Sequence, residues 1–328
     1  MRYISSITLT IAAFLTILLL TSCTSNTQTS DHVFKPTNIK GSHTFDGNSG
    51  KIIEHNFNHN GIKRSYIVYL PTNHQPDNKS ALVLSLHGRT GTSHALMKSQ
   101  RWHSLADSEN FVVVFPQSAA TELDGKLMTQ WNALNVNSGI DDVSFLKNVV
   151  SRVHEQYKTS AKKAYVAGFS NGGMMVSRLV CEADGTFAAM ASVAGIGSTA
   201  HSDCVPRHVT PIAFIHGEKD LLPPQKGQLS NLRPVQETIS MFVETYNCSD
   251  MPVVKLLEDK APNDGTRTTM YRYQGCNEDA VVEYYFVKNG GHTWPGNKPV
   301  TWLGNTSQDF TANEILWQFF SRHELKFK

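Results

Sequence analysis

A chain of 328 residues, with 40% hydrophobic and 18% charged residues, can bury a sizeable core as one large domain or two small ones. A formal net charge of +2, with no local run of Lys and Arg, excludes the basic surface that a nucleic-acid partner needs.

The N-terminus differs from the rest. Arg2 is the only charged residue before Asp31, and Ile7 to Leu20 is an apolar run broken only by Thr. That length suits the core of a secretory signal and is short for a membrane span. The run ends in Leu20-Thr21-Ser22-Cys23, small residues followed by Cys, as in a bacterial lipobox. Residues 1–22 are therefore expected to be a lipoprotein signal peptide, with Cys23 lipidated and holding the mature chain on a membrane. From Cys23 to Phe45 the sequence is rich in Ser, Thr and Asn and lacks apolar periodicity, which predicts a flexible tether. Residues 46–328 show no repeat and no further break in composition, and are expected to form one domain. Export would place Cys181, Cys204, Cys248 and Cys276 in an oxidising compartment, where disulfides are expected. Three pairings are open. The sequential one, Cys181 with Cys204 and Cys248 with Cys276, closes two local loops and is preferred. None of the four lies in a CxxC or Cys/His cluster, so no metal site is expected.

Within the domain, Ser65 to Leu70 alternates like a half-buried strand. Ala81–Leu86, Phe111–Phe115, Lys163–Ala167 and Pro211–Ile215 are short apolar runs that suit strands covered on both faces. Helical patterns fall between and after them, over Asp142–Tyr157, Gly172–Cys181, Val235–Tyr246 and Ala312–His323. Strand and helix in turn predict an α/β fold, a mostly parallel sheet with helices on both faces. Ligands bind at the carboxyl ends of the strands in such sheets, so functional residues are expected just after strands.

Four segments meet that condition. Gly168-Phe169-Ser170-Asn171-Gly172-Gly173 joins a strand directly to a helix. A sharp turn there exposes the Ser170 hydroxyl, and the helix N-terminus aims amides at developing negative charge. Leu86-His87-Gly88-Arg89-Thr90-Gly91 follows another strand and offers a backbone N–H for an oxyanion; Asn171 and Arg89 are the expected donors, with Thr90 next. His87 precedes the nucleophile and is read as a brace for its loop. In Ile215-His216-Gly217-Glu218-Lys219-Asp220 the acid is Asp220, with Glu218 its local rival. Asp141 and Asp142 precede Ser170 and stand at a predicted helix start, where capping explains them; Asp142→Asn is expected to cost at most about 1 kcal/mol. Finally, a strand over Val281–Val287 leads into Asn289-Gly290-Gly291-His292-Thr293-Trp294. His292 lies after Asp220, follows a strand and sits in a Gly-rich turn; it is the expected general base, whereas His323 lies in the terminal helix. Thr90 and Trp294 are candidates for substrate contact, Trp294 alternatively for the core.

The set HGRTG, GFSNGGMM, IHGEKD and GGHTWPG, with Ile140-Asp141-Asp142-Val143, resembles the polyhydroxybutyrate depolymerase and feruloyl esterase family of secreted α/β-hydrolase esterases over residues 55–320. The resemblance implies carboxylester hydrolysis without a metal or organic cofactor, a triad of Ser170, Asp220 and His292, and the same two disulfides. Arg89-Thr90 departs from the family pattern of small residues or Cys-Gly, which bears on pocket shape. The expected substrates are polyhydroxybutyrate-type polyesters or oligomers, with feruloyl or acetyl esters of plant polysaccharide as the alternative. A catalytically silent surface binding protein is the reading from a different class, and the complete triad argues against it.

Overall fold

The computed structural model describes residues 50–326 apart from 124, 135–138, 198–205 and 221–231. The signal peptide, Cys23, the tether and Cys204 lie outside the described residues. Those described belong to one unit, Pro36–Lys328.

Among the described residues, ten strands form one sheet. In chain order they are β1 (Lys51–His59), β2 (Ile62–Leu70), β3 (Leu82–Leu86), β4 (Val112–Pro116), β7 (Ala164–Phe169), β8 (Ala189–Val193), β9 (Ile212–Gly217), β10 (Val253–Leu256), β11 (Arg267–Tyr273) and β12 (Val282–Lys288); β5 (Ala120–Leu123) and β6 (Lys126–Thr129) make a separate hairpin. The sheet order is β1-β2-β4-β3-β7-β8-β9-β12-β11-β10. From β4 to β12 neighbours are parallel, and antiparallel strands close both flanks.

The short apolar runs behave as their composition predicts. Along β3, Leu82, Leu84 and Leu86 turn to one face and Val83 to the other, all fully buried. The first face is covered by α3 (Asp142–Tyr157), α4 (Asn171–Glu182) and α5 (Val235–Thr245), through residues such as Val149, Leu179 and Phe242. The second is covered by α1 (Ser93–Gln100), α2 (Trp102–Glu109) and α6 (Ala312–Phe320), through Met97, Trp102 and Phe319. Helices thus lie on both faces, as expected. The strand β8, Ala-Met-Ala-Ser-Val, carries little intrinsic strand preference. Its extended form comes from parallel pairing with β7 on one side and β9 on the other.

The strand order reverses at β3, which has β4 on one side and β7 on the other. Chain leaving β3 and β7 therefore diverges to opposite sides and opens a crevice at their carboxyl ends. Both the Gly88 loop and Ser170 emerge there. Cys248, just beyond α5, is bonded to Cys276, just before β12, as expected. Cys181 is also disulfide-bonded.

Candidate active site

Ser170 stands between the last residue of β7 and the first of α4 with φ 55° and ψ −119°. A side chain in that region is strained and persists only where its surroundings hold it. Its N–H donates to Val193 O at 2.9 Å, and its carbonyl accepts the first bond of α4, from Met174 N–H, at 2.9 Å. The close packing of the turn requires glycine at 172: a Cβ there would meet Leu86 O at 2.5 Å, so the helix start could not approach β3. The amides of Asn171 to Gly173 precede the first bond of the helix and point away from its body.

The acid and imidazole come from the loops after β9 and β12, the second and third strands along the sheet from β7, which pair side by side. Beyond the ladder the two loops stay in backbone contact, since Lys219 N–H donates to Gly290 O at 2.8 Å. Gly217 permits this, because a Cβ there would come within 2.4 Å of both Gly290 O and Gly291 O. As a result His292 Nδ1–H donates to both oxygens of Asp220, at 2.9 and 2.8 Å. Both side chains are nearly buried, at 9% and 6% exposure. With the proton fixed on Nδ1, the other ring nitrogen is left as the basic one. The Phe169 ring lies 5.1 Å from the His292 ring, centroid to centroid, and limits its rotation. A second imidazole, His216, stands 3.5 Å from Asp220 through its Nε2. Burial holds His216 below the usual imidazole range, against the pull of the Asp220 carboxylate, with His292 adding to the lowering. Ser170, Asp220 and His292 line one cleft of about 640 Å³, together with Gly88, Arg89 and Asn171.

The loop after β3 is fastened from beneath. His87 is buried; its Nδ1–H donates to Gly88 O at 2.7 Å and its Nε2 accepts from Ser118 N–H at 3.1 Å. Burial pushes its pKa down to about 4, so it is a neutral brace with both nitrogens engaged.

Residues 64–210 match the family described as Esterase PHB depolymerase. A bifunctional acetylxylan esterase/xylanase of Neocallimastix patriciarum is 26% identical over 71% of this chain, which spans only 31% of that protein's length. Feruloyl esterase D of Neurospora crassa is 26% identical over 81% of this chain and 84% of its own. Among solved structures, an acetyl xylan esterase from Aspergillus awamori superposes with a TM-score of 0.56 at 16% identity, covering 82% of this chain and 98% of that one. The family match covers less than half of the chain, and the first two of these relatives share less than 30% of its residues where they align. A thermostable esterase superposes with a TM-score of 0.54 at 16% identity over 83% of this chain and 63% of its own, and the shared fold is that of the α/β hydrolases.

The remaining expected residues separate on geometry. The Thr90 amide donates to Thr129 O at 2.7 Å and its hydroxyl to Arg89 O at 2.7 Å; its backbone has φ 60°. That engagement removes Thr90 as an oxyanion donor, and Arg89, not Thr90, lines the cleft. Trp294 is 3% exposed, packs edge-on to Trp102 and donates from Nε1 to Asn313 Oδ1 at 2.8 Å, so it belongs to the core and not to a substrate-contacting wall. Glu218 also lines the cleft, but its carboxylate accepts from Asn289 N–H at 2.9 Å, whereas His292 Nδ1 is bonded to Asp220. Asp141 is the cap of α3, accepting from Ser144 N–H at 2.9 Å. Asp142 is not a cap. It is fully buried, paired with Arg64 Nη2 at 2.6 Å and accepting from Asn132 N–H at 2.8 Å. The expectation that Asp142→Asn costs little is therefore corrected: an amide would leave the buried Arg64 charge unpaired, which costs about 3–5 kcal/mol. Residues that the sequence did not single out also converge here: His216, and Trp131, whose contacts reach both loops of the crevice.

Proposed function

We propose that this protein is a serine carboxylester hydrolase that works through a Ser170–His292–Asp220 triad and an acyl-enzyme. The observation that carries the reading is the His292–Asp220 pair at 2.8 and 2.9 Å in the cleft that the strained Ser170 turn also lines. Asp220 holds the imidazole in one tautomer and stabilises the imidazolium. His292 takes the Ser170 proton as the hydroxyl attacks the ester carbonyl, and the oxyanion rests on the amides of Asn171 and Arg89. The alcohol leaves with the proton from His292. Water, deprotonated by the same nitrogen, then releases the acid and restores Ser170.

The preferred substrates are hydroxyalkanoate polyesters or their oligomers. A cleft of about 640 Å³, with the half-buried Phe286 and the exposed Trp302 among its walls, has room for an acyl chain or ring larger than acetyl. Feruloyl or acetyl esters of plant polysaccharide are the second reading, favoured by the relatives named as acetylxylan and feruloyl esterases. Ser170→Ala should lower ester turnover by several orders of magnitude while the protein stays folded, because triad members act as a unit. Equal turnover in the variant ends the serine reading. Turnover of acetyl, feruloyl and 3-hydroxybutyryl-oligomer esters by the wild type ranks the substrates. The Cys248–Cys276 disulfide supports a place outside the cytoplasm. Lipidation at Cys23 would hold the enzyme on a membrane there; release of a Cys23→Ala protein into the medium is the expected outcome, and unchanged membrane retention counts against the anchor.

A further inference from the structure

After β6 the chain runs through Trp131 and Asn132, which belong to no helix or strand, yet both residues are buried. Every polar group of Trp131 is used on the crevice. Its indole Nε1–H donates to His87 O at 2.8 Å. Its backbone N–H donates to Asn171 Oδ1 at 2.7 Å, and its carbonyl accepts from Asn171 Nδ2 at 3.2 Å, so the Asn171 side-chain amide is gripped as a strand edge would be. The next residue fastens this strap. Asn132 N–H donates to Asp142 Oδ2 at 2.8 Å, and Arg178 Nη1 of α4 donates to Asn132 O at 2.5 Å.

The need for such a strap follows from the sheet. The ladder between β3 and β7 ends at Leu86↔Gly168, and the two chains part beyond it. The proposed oxyanion donors, Arg89 and Asn171, lie past that point, on segments that no ladder bond joins. Donors act only within about 2.7–3.1 Å of the oxyanion, so their separation has to be held by something else.

We infer that Trp131 is a positioning residue that sets the spacing of the two oxyanion donors, by tying the His87 carbonyl to the Asn171 side chain. This inference rests on the serine-hydrolase reading above. A purely structural role would ask only for the volume of the indole. The use of its N–H and both its backbone groups on the two donor segments is what that role leaves unexplained.

The test uses the full chain. Trp131→Phe keeps an aromatic ring and removes the indole N–H; Asn171→Ala removes the other half of the grip and serves if the first variant does not fold. Each should lower kcat by about 10- to 100-fold, as misplacement of a catalytic group does, with KM within about threefold. The affinity for a trifluoromethyl ketone, whose hemiketal oxyanion occupies the same position, should fall in parallel with kcat/KM. The double variant should lose less than the product of the two single losses, since both act through one contact. Unchanged kcat in both single variants, or a fall in kcat with undiminished ketone affinity, overturns the inference alone. Labelling of wild-type Ser170 by a fluorophosphonate is measured alongside; an unlabelled Ser170 overturns the serine reading and this inference with it.

Discussion

Asp142 at the head of α3 and Asp220 beyond β9 are both buried carboxylates, with side-chain exposures of 0% and 6%, and both face a basic side chain at hydrogen-bond distance. The partner of Asp142 is the Arg64 guanidinium, which also lies 3.6 Å above the Phe145 ring. Arginine keeps its proton at every accessible pH, so this pair can hold structure but cannot move a proton. The partner of Asp220 is the His292 imidazole, which unlike a guanidinium has a second ring nitrogen able to take up a proton. Asp220 also lines the cleft with Ser170, and Asp142 does not. Burial and a hydrogen-bonded basic partner are thus common to a structural and a candidate catalytic acid. The proton affinity of the partner, and its access to the cleft, separate them.

The largest expected effect is at Asp220. Asp220→Asn presents a donor to His292 Nδ1 and favours the wrong tautomer, so kcat should fall by roughly three to four orders of magnitude with the thermal midpoint nearly unchanged. Steady-state kinetics and calorimetry on one preparation measure both quantities. Full activity in this variant would erase the distinction between the two acids. The mirror experiment is Asp142→Asn, where stability should fall by about 3–5 kcal/mol in denaturant titration, while the folded fraction keeps most of its turnover. Loss of turnover without loss of stability would move the active acid to α3.

A graded version uses pH. Burial holds His55, His87 and His323 down at about 4, against 6.5 in the unfolded chain. Between pH 6.5 and 4 the unfolded chain binds more protons than the folded one, so unfolding free energy rises with pH across that window. The contribution is complete above pH 6.5 and is lost as pH falls to 4. His87 alone contributes on the order of 3 kcal/mol over that range. Thermal midpoints recorded from pH 7 to 4 should therefore drop steeply; a flat profile would mean that these imidazoles are charged in the fold. The smallest effect is expected at Glu218, the acid two residues before Asp220. Glu218→Gln keeps an oxygen for Asn289 N–H and should change stability and activation barrier by no more than about 0.5 kcal/mol.

Much of the sheet is legible because a strand covered on both faces has to be a short apolar run, and a helix on a sheet has to be apolar at helical spacing. Hence Asp142–Tyr157 is a helix with the expected bounds, and the runs near Leu84, Val113 and Val166 are strands. The strand Ala189–Val193 is not legible in this way, since its small residues are selected by the neighbours that crowd it. The paired helices α1 and α2 are eight residues each and polar on their outer sides, too short for periodicity to announce them. The hairpin between β1 and β2 did carry a local signal, because Asn60-Gly61, with φ of 51° and 82°, is a favoured two-residue turn.

What the sequence determines by itself is therefore what neighbouring residues decide: apolar period, the glycine-flanked turn at Ser170, the glycine-rich approach to His292 and the chain order of the acid between them. The tertiary structure alone decides which partner each polar group receives. Asp142 reads as a capping residue until Arg64 arrives from β2, 78 positions away, and Thr90 reads as the alternative to Arg89 as oxyanion donor until Thr129 takes its N–H. Trp131 has no local motif at all, and its meaning lies in His87 and Asn171. The physical reason is one of range. Backbone preference and periodicity act over a few residues, whereas a buried polar group must be satisfied by whatever the fold brings beside it.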